Sequence, residues 1–185
     1  MLYLLINMTS GIKNNFWFIL YRRKDFCEYL FKLLRQESVP YYSVSSTGED
    51  STGEDFVKKE YESIKNLIFI KPFEPVNQFL NKLKTEFGLV LVPYMDCMTG
   101  EVAKVGNEEM LRFIKLSKNN PDSIKILKDS FDKFNDKPSV RVKSGPYEGL
   151  EGRLVRIRRD RKVVISLGNS AISISGIEFS LLEII

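Results

Sequence analysis

The sequence predicts an α+β fold that ends in a small β-barrel, and three observations lead to that prediction. In the first two thirds of the chain, apolar runs typical of strands alternate with segments of helical spacing. From Pro138 onward every local signal is β, and several short strands in so short a segment fit a barrel. Within that segment Gly145, Gly149 and Gly152 lie between two pairs of alternating apolar residues, which indicates strand, tight turn, strand.

The chain begins, after a tail, with a predicted strand, helix and strand. Residues 16–21, FWFILY, are aromatic and apolar enough for a central strand. Asp25 offers a negative charge at the start of a helix that runs to about Glu37, and Pro40 ends it. Residues 41–45 predict the second strand. The apolar stripe of the helix consists of Phe26, Leu30, Leu33 and Leu34.

A tandem repeat follows, with STGED at 46–50 and again at 51–55. Ten residues of Ser, Thr, Gly and acid cannot bury a core. We interpret them as an acidic hairpin tip lengthened by duplication. Tolerated slippage in an exposed loop is favoured over a functional role.

The next part predicts strand, helix, two short strands and helix. Residues 66–70, NLIFI, are typical of a buried strand. Pro75 suits the first turn of a helix, and Gly88 is its stop signal. Short strands are expected at 89–92 and 102–105, with a polar loop between them. Asn107 is expected to cap a third helix, whose inner face consists of Met110, Phe113 and Ile114.

The segment 119–137 is mixed and charged, and it predicts an inter-domain linker with a short element at Ile124 to Leu127. Beyond it lie the barrel strands, expected at 140–143, 152–158, 163–167, 171–175 and around 181–184.

Composition argues against several classes of protein. The chain contains no histidine, which removes the commonest general base and metal ligand, and the two cysteines share no metal-ligand spacing. With no recognisable catalytic motif, we expect neither an enzyme nor a metal or cofactor. The apolar N-terminal run is too short for a membrane span and lacks the basic start of a signal peptide. We therefore expect a cytoplasmic protein with no membrane partner.

Two basic clusters suit a protein that works beside nucleic acid. The first is Arg22, Arg23 and Lys24, and the second is RLVRIRRDRK at 153–162. The alternative for each is a solvated helix start or strand end, and the residues alone do not decide between them.

Four motifs in this order resemble the NusG family of transcription elongation factors, in which an N-terminal NGN domain precedes an SH3-like KOW barrel. WFILYRRK at 17–24 resembles the first NGN strand, and NLIFI at 66–70 the buried strand. NEEMLRFI at 107–114 resembles the third NGN helix, and SGPYEGLEG at 144–152 the KOW loop. The resemblance is strongest to the specialised RfaH-like and UpxY-like paralogues, the latter acting on capsule polysaccharide operons. It implies a tail at 1–15, an NGN domain at 16–118, a linker at 119–137 and a KOW domain at 138–185.

The resemblance also implies three sets of site residues. A pocket for the RNA polymerase clamp would be lined by Tyr21, Ile64, Leu67 and Phe69. Contacts with the non-template DNA strand would come from Arg22, Arg23 and Lys24. A further partner, either a small-subunit ribosomal protein or a termination factor, would be recruited by Tyr147, Leu150, Leu167 and Asn169.

Each set has a purely structural alternative. Leu67 and Phe69 share one face of their strand, so this face is either an interface or core. Tyr147 could instead pack its ring on the barrel.

The expected function is that of an elongation and antitermination factor, which binds the polymerase clamp and suppresses pausing or termination at particular operons. The rival from another class is a KOW-type RNA-binding module in which the 153–162 run contacts ribosomal or messenger RNA.

Overall fold

The computed structural model describes residues 15–22, 27–44, 61–157 and 159–185, and these ranges form three α-helices and two antiparallel sheets. The predicted α+β class is confirmed. The STGED repeat, and the expected N-terminal tail except for residue 15, lie outside the described residues. Within those ranges no helix combines the length and the apolar character needed to cross a membrane.

The helices are α1 (Cys27–Gln36), α2 (Val76–Phe87) and α3 (Asn107–Asn119). The strands are β1 (Phe16–Tyr21), β2 (Tyr41–Ser43), β3 (Tyr61–Ser63), β4 (Leu67–Ile70), β5 (Lys104–Gly106), β6 (Ile124–Ser130), β7 (Ser139–Val142), β8 (Glu151–Ile157), β9 (Asp160–Leu167), β10 (Ser170–Ile174) and β11 (Leu182–Ile184).

The first sheet has the strand order β2-β4-β1-β5. Its chain order is strand, helix, strand, strand, helix, strand, which is the split β-α-β arrangement of ferredoxin-like folds. The register pairs Phe18 with Ile70 and Leu20 with Ile68 on one face. That face packs against the apolar residues of α1 and α2, among them Leu34 and Phe79. The predicted stripe of α1 is confirmed at Leu30, Leu33 and Leu34, which are buried, as is Cys27.

Helix α2 ends where the sequence predicts. Gly88 adopts φ +67°, and its amide donates to the carbonyl oxygen of Lys84 at 3.2 Å. A left-handed residue closes a helix most easily when it is glycine.

The outer edge of β1 is completed by two separate pieces of chain. The amide of Ile19 donates to Ala103, while the amide of Tyr21 donates to Val92. Between these pieces the chain makes a hairpin excursion, closed by a bridge between Met95 and Val102. The expected strand at 89–92 is therefore an irregular edge segment, because β5 already occupies half of that edge.

The second sheet has the order β11-β7-β8-β9-β10-β6-β3. The five strands expected at the C-terminal end all form, and β11 returns to pair with β7. In the described part of the chain these strands do not close into a barrel. The edge of β10 is taken by β6 instead, and β3 extends the sheet further.

The segment expected as a linker contributes an interior strand, next to the edge strand β3. Ile126 of β6 pairs with Ile172 of β10 on one side and with Glu62 of β3 on the other. Ile124 and Ile126 are buried, which explains why only this short element stood out in an otherwise charged segment. Because β3 leads into β4 through the turn Ile64–Asn66, a three-residue turn joins a strand of the second sheet to a strand of the first.

One apolar core fills the space between the two sheets. It contains Phe69 of the first sheet, Phe113 of α3 and Ile172 of the second sheet. Helix α3 lies between the sheets, as its predicted inner face of Met110, Phe113 and Ile114 requires, since all three are buried.

Candidate functional site

The residues expected to bind polymerase lie on the face of the first sheet that points away from α1 and α2. Tyr21 is the direct cross-strand partner of Leu67, and Ile19 is that of Phe69. Ile64 lies in the turn just before β4. The sequence therefore brings together on one apolar face the residues that the resemblance selects. We call Ile19, Tyr21, Ile64, Leu67 and Phe69 the clamp face.

In this structure the clamp face is covered by the protein itself. Ile64, Leu67 and Phe69 have no exposed surface. The ring centroid of Phe69 is 5.0 Å from that of Phe113 in α3. Tyr21 is half-buried at the rim, with its ring centroid 5.6 Å from that of Tyr94. In the arrangement described, the structural alternative for Leu67 and Phe69 applies, because both belong to the core.

Two polar anchors hold α3 over the clamp face. The Oδ1 of Asn107 accepts from Trp17 Nε1 at 3.1 Å and from Lys71 Nζ at 2.9 Å. Asn107 was expected to cap its own helix; the helix begins at Asn107 itself, and the side chain contacts the first sheet instead. Further along α3, the hydroxyl of Ser117 lies 2.7 Å from that of Tyr42. Burial raises the pKa of Tyr42, and its bond to Ser117 offsets part of that shift.

Glu109 connects the start of α3 to the second sheet. One carboxylate oxygen accepts from the amide of Gly106 at 3.4 Å, as a residue in the first turn of a helix often does. The other accepts from the amide of Gly168 at 3.3 Å. Gly168 lies in the tight turn between β9 and β10, so a single side chain fixes this turn to α3.

A second polar connection, the Asp96–Asn169 clasp, joins the hairpin excursion to the same turn. Asp96 is buried, and one oxygen accepts from the amides of Met98 at 2.8 Å and Thr99 at 3.1 Å. The other accepts from Asn169 Nδ2 at 2.8 Å. Burial opposes the charge of Asp96, but the bonds from Met98, Asn169 and Thr99, helped by the charge of Lys104, hold its pKa below the ordinary value of 3.8.

Of the residues expected to recruit a further partner, Tyr147 and Leu167 are buried, Leu150 is half-buried and Asn169 is exposed. Tyr147 is buried, and its hydroxyl lies 2.8 Å from that of Ser123, rather than reaching water. Leu167 is buried, and Leu150 packs half-buried against the same core. With Asn169 in the clasp, all four line the junction between the sheets. Leu150 and Leu167 also line a cleft of about 350 Å³ beside α3, with Arg112 on its wall.

Gly168 is a junction residue that the sequence interpretation did not single out. Its φ is +60°, and a Cβ at this position would lie 2.1 Å from the carbonyl oxygen of Lys104 on β5. The available signal was the dipeptide Gly168-Asn169 between two apolar runs, which is typical of a two-residue hairpin turn. Of the three glycines expected around the β7–β8 turn, Gly145 and Gly149 have positive φ, whereas Gly152 instead allows close packing against Val164.

The first basic cluster is only partly described. Arg22 directs its guanidinium inward, donating to the carbonyl oxygens of Val44 at 3.2 Å and Lys65 at 3.3 Å and to the sulfur of Cys27. These contacts tie the end of β1 to the neighbouring segments. Arg23 and Lys24, which were expected beside DNA, lie outside the described residues.

Within the described ranges, no three His, Cys, Asp or Glu side chains are grouped so as to hold a metal ion. Comparisons of the chain with family models, with curated proteins and with solved structures give no significant match.

Proposed function

We propose that this protein is a NusG-like transcription elongation and antitermination factor that binds the RNA polymerase clamp through its clamp face. The observation that carries the proposal is the register of β1 and β4. It sets Tyr21 beside Leu67 and Ile19 beside Phe69, on the sheet face opposite α1 and α2. A split β-α-β sheet followed by five β-strands also has the order of an NGN and a KOW domain. The return of β11 to β7 is a pairing that a small barrel requires.

An apolar sheet face of this kind can be covered by helices from another protein as well as by its own. Helix packing into an apolar groove is a common recognition mode. Here α3 and the second sheet occupy the clamp face, so the polymerase competes with an intramolecular cover. The apparent affinity is then lowered by the fraction of molecules in which the cover has moved.

The rest of the proposal follows from the same resemblance. The protein would work in the cytoplasm, without catalysis of its own and without a cofactor. It would suppress pausing or termination at particular operons, such as capsule loci. Once released from the junction, Tyr147, Leu150, Leu167 and Asn169 would be available to a ribosomal protein or a termination factor. Non-template DNA would be reached from Arg23 and Lys24, next to the end of β1.

The test is retention of core RNA polymerase by the purified, immobilised protein at low and at moderate salt. Asn169→Ala removes one bond of the clasp, and Asn135→Ala is the matched control, since its amide makes only an exposed local bond to Asp132. A hydrogen bond to a charged group contributes about 1.5 to 3 kcal/mol, so we expect about ten-fold or greater tightening for Asn169→Ala. Asn135→Ala should bind like the original protein.

Salt separates the proposal from the RNA-binding rival. An apolar clamp contact should survive moderate salt, whereas binding through phosphates weakens steeply. The proposal fails if neither the original protein nor the folded Asn169→Ala variant retains polymerase. Charged substitutions at Leu67 or Phe69 are unsuitable for this test, because these residues are fully buried and the variants would unfold.

A further inference from the structure

The hairpin of β8 and β9 carries two arginines directly opposite each other. Arg156 and Arg161 are cross-strand partners, and both are exposed. Like charges in this position destabilise a sheet. Their neighbours Ile157 and Asp160 form the next pair along the ladder, and successive pairs point to opposite faces. The carboxylate of Asp160 is therefore on the wrong face to neutralise them.

These arginines also lack a carboxylate partner elsewhere. Among the described side chains, no carboxylate oxygen lies within 4.0 Å of the guanidinium nitrogens of Arg156, Arg159 or Arg161. Arg141, in the same sheet, is the contrast, with Glu151 at 2.7 Å and Glu183 at 3.2 Å. Carboxylates of this sheet neutralise the exposed Arg141, whereas none of the described carboxylates neutralises the arginines of the hairpin.

An exposed aromatic ring lies beside one of these arginines, Arg161. The guanidinium carbon of Arg161 is 4.6 Å from the ring centroid of Phe179. Phe179 is 55% exposed, although it is one of the larger apolar side chains in the protein. It begins the turn Phe179–Leu181, which leads into β11 and is thereby fixed to the sheet.

Two further basic residues of the run at 153–162 have a structural role or lie on the other face, and Arg158 lies outside the described residues. Arg153 donates to the hydroxyl of Ser139 and to the carbonyl oxygen of Lys137, which ties β8 to β7. Lys162 pairs with Val155 on the face opposite Arg161. We therefore restrict the surface to Arg156, Arg159, Arg161 and Phe179 and call it the Arg161–Phe179 surface.

We propose that the Arg161–Phe179 surface binds single-stranded RNA. Arg156, Arg159 and Arg161 would each contact a phosphate through their N–H groups, and an unpaired base would stack on the layer that the Arg161 guanidinium forms with the Phe179 ring. Only an unpaired base presents a face to such a stack, and accessible unpaired bases are the form in which RNA is usually recognised. A bound phosphate would also relieve the repulsion between Arg156 and Arg161. The proposal stands apart from the polymerase contact, because the clamp face is not part of it.

The experiment is fluorescence anisotropy of a labelled uridine-rich single-stranded RNA, titrated with the full chain at several salt concentrations. Three phosphate contacts predict that log K falls with log salt at a slope of about −2, since each contact contributes about −0.7. Arg156→Gln and Arg161→Gln should each reduce the slope by about 0.7. Phe179→Ala should weaken binding about ten-fold while the slope is retained.

Two matched variants control for charge and for exposed aromatic area. Arg141→Gln removes the same charge from the same sheet, but from an arginine that already has carboxylate partners, and should leave the slope unchanged. Phe73→Ala removes a ring that is 44% exposed elsewhere and should leave the affinity unchanged. Arg156→Gln should melt at the same temperature as the original protein or higher, because it removes a like-charge pair.

Three results would each overturn the proposal. The first is equal weakening by Arg141→Gln and Arg161→Gln, which would indicate diffuse attraction by net charge. The second is an unchanged affinity in a folded Phe179→Ala variant. The third is binding of duplex RNA, or of single-stranded DNA of the same sequence, more tightly than of the single-stranded RNA. Polymerase is absent from this assay, so these results leave the clamp proposal unaffected.

Discussion

Gly168 packs directly against the backbone of Lys104, with room for a hydrogen atom but not for a methyl group. The carbonyl oxygen of Lys104 would lie 2.1 Å from a Cβ at position 168. Lys104 belongs to the first sheet and Gly168 to the second, so this contact sets how closely the two sheets approach. The bond from the Gly168 amide to Glu109 and the neighbouring clasp depend on the same approach.

Gly168→Ala should therefore destabilise the protein for two reasons. The residue has positive φ, which costs an L-residue about 1 to 2 kcal/mol, and the new methyl group forces the sheets apart at a further cost of about 1 to 3 kcal/mol. Gly88→Ala is the matched control, because Gly88 has φ +67° with nothing within 4 Å of a Cβ. Urea unfolding should show a clearly larger loss for Gly168→Ala; equal losses would mean that the close approach contributes nothing.

The cover over the clamp face predicts that Phe69 contributes to stability in the free protein. Phe69→Ala should lower the free energy of unfolding by about 3 to 5 kcal/mol, because the ring is fully buried against Phe113 and Tyr42. Phe73→Ala, at a ring that is 44% exposed, should cost much less. Chemical denaturation of both variants measures the two losses in the free energy of unfolding. Similar small losses would show that the clamp face is open in solution.

Asp96 predicts an acid-dependent part of the stability. Its pKa is lowered in the folded protein, so its contribution is fully present above the unfolded value of 3.8 and is lost as the pH falls through the lower folded value. Asp96→Asn should be less stable at neutral pH by about 1 to 3 kcal/mol, and the difference should shrink in acid.

The control for Asp96 is Asp136→Asn. The pKa of Asp136 is lowered as well, by its bond to Lys137, but this pair is exposed and should change stability very little. Urea unfolding at a series of pH values below neutral measures both variants. A stability difference for Asp96→Asn that does not change with pH would contradict the assignment of the charge to the clasp.

The elements and faces of the first sheet were predictable because each carries a local signal. The two-residue period of a strand placed Leu67 and Phe69 on one face of NLIFI, whereas Tyr21 was grouped with them only by the family resemblance. The positive-φ turns at Gly145, Gly149 and Gly88 were equally predictable, because glycine at such positions has a local cause.

Which residues cover a sheet face is decided by contacts between residues that are far apart in the sequence, and no local sequence pattern indicates those contacts. The burial of the clamp face depends on α3 and on β6, and the charges of the expected linker obscured β6. Asp96 and Asn169 are 73 positions apart and each looks like an ordinary loop residue. The pairing of Arg156 with Arg161 can be identified only from the register of the hairpin, and the order of basic residues in the sequence does not give that register.

Because of the three-residue turn Ile64–Asn66, the two halves of this protein cannot be exchanged between genes as independently folding units. The turn passes the chain from a strand of one sheet to a strand of the other, so a fragment ending at residue 118 would carry β3 without β6 beside it. Such a fragment would keep most of α3 but lose the part of the core that the second sheet contributes, including Ile126 and Ile172. Recombination at the boundary between residues 118 and 119 would thus yield pieces that fold poorly alone, and the two halves are expected to be inherited, and to unfold, together.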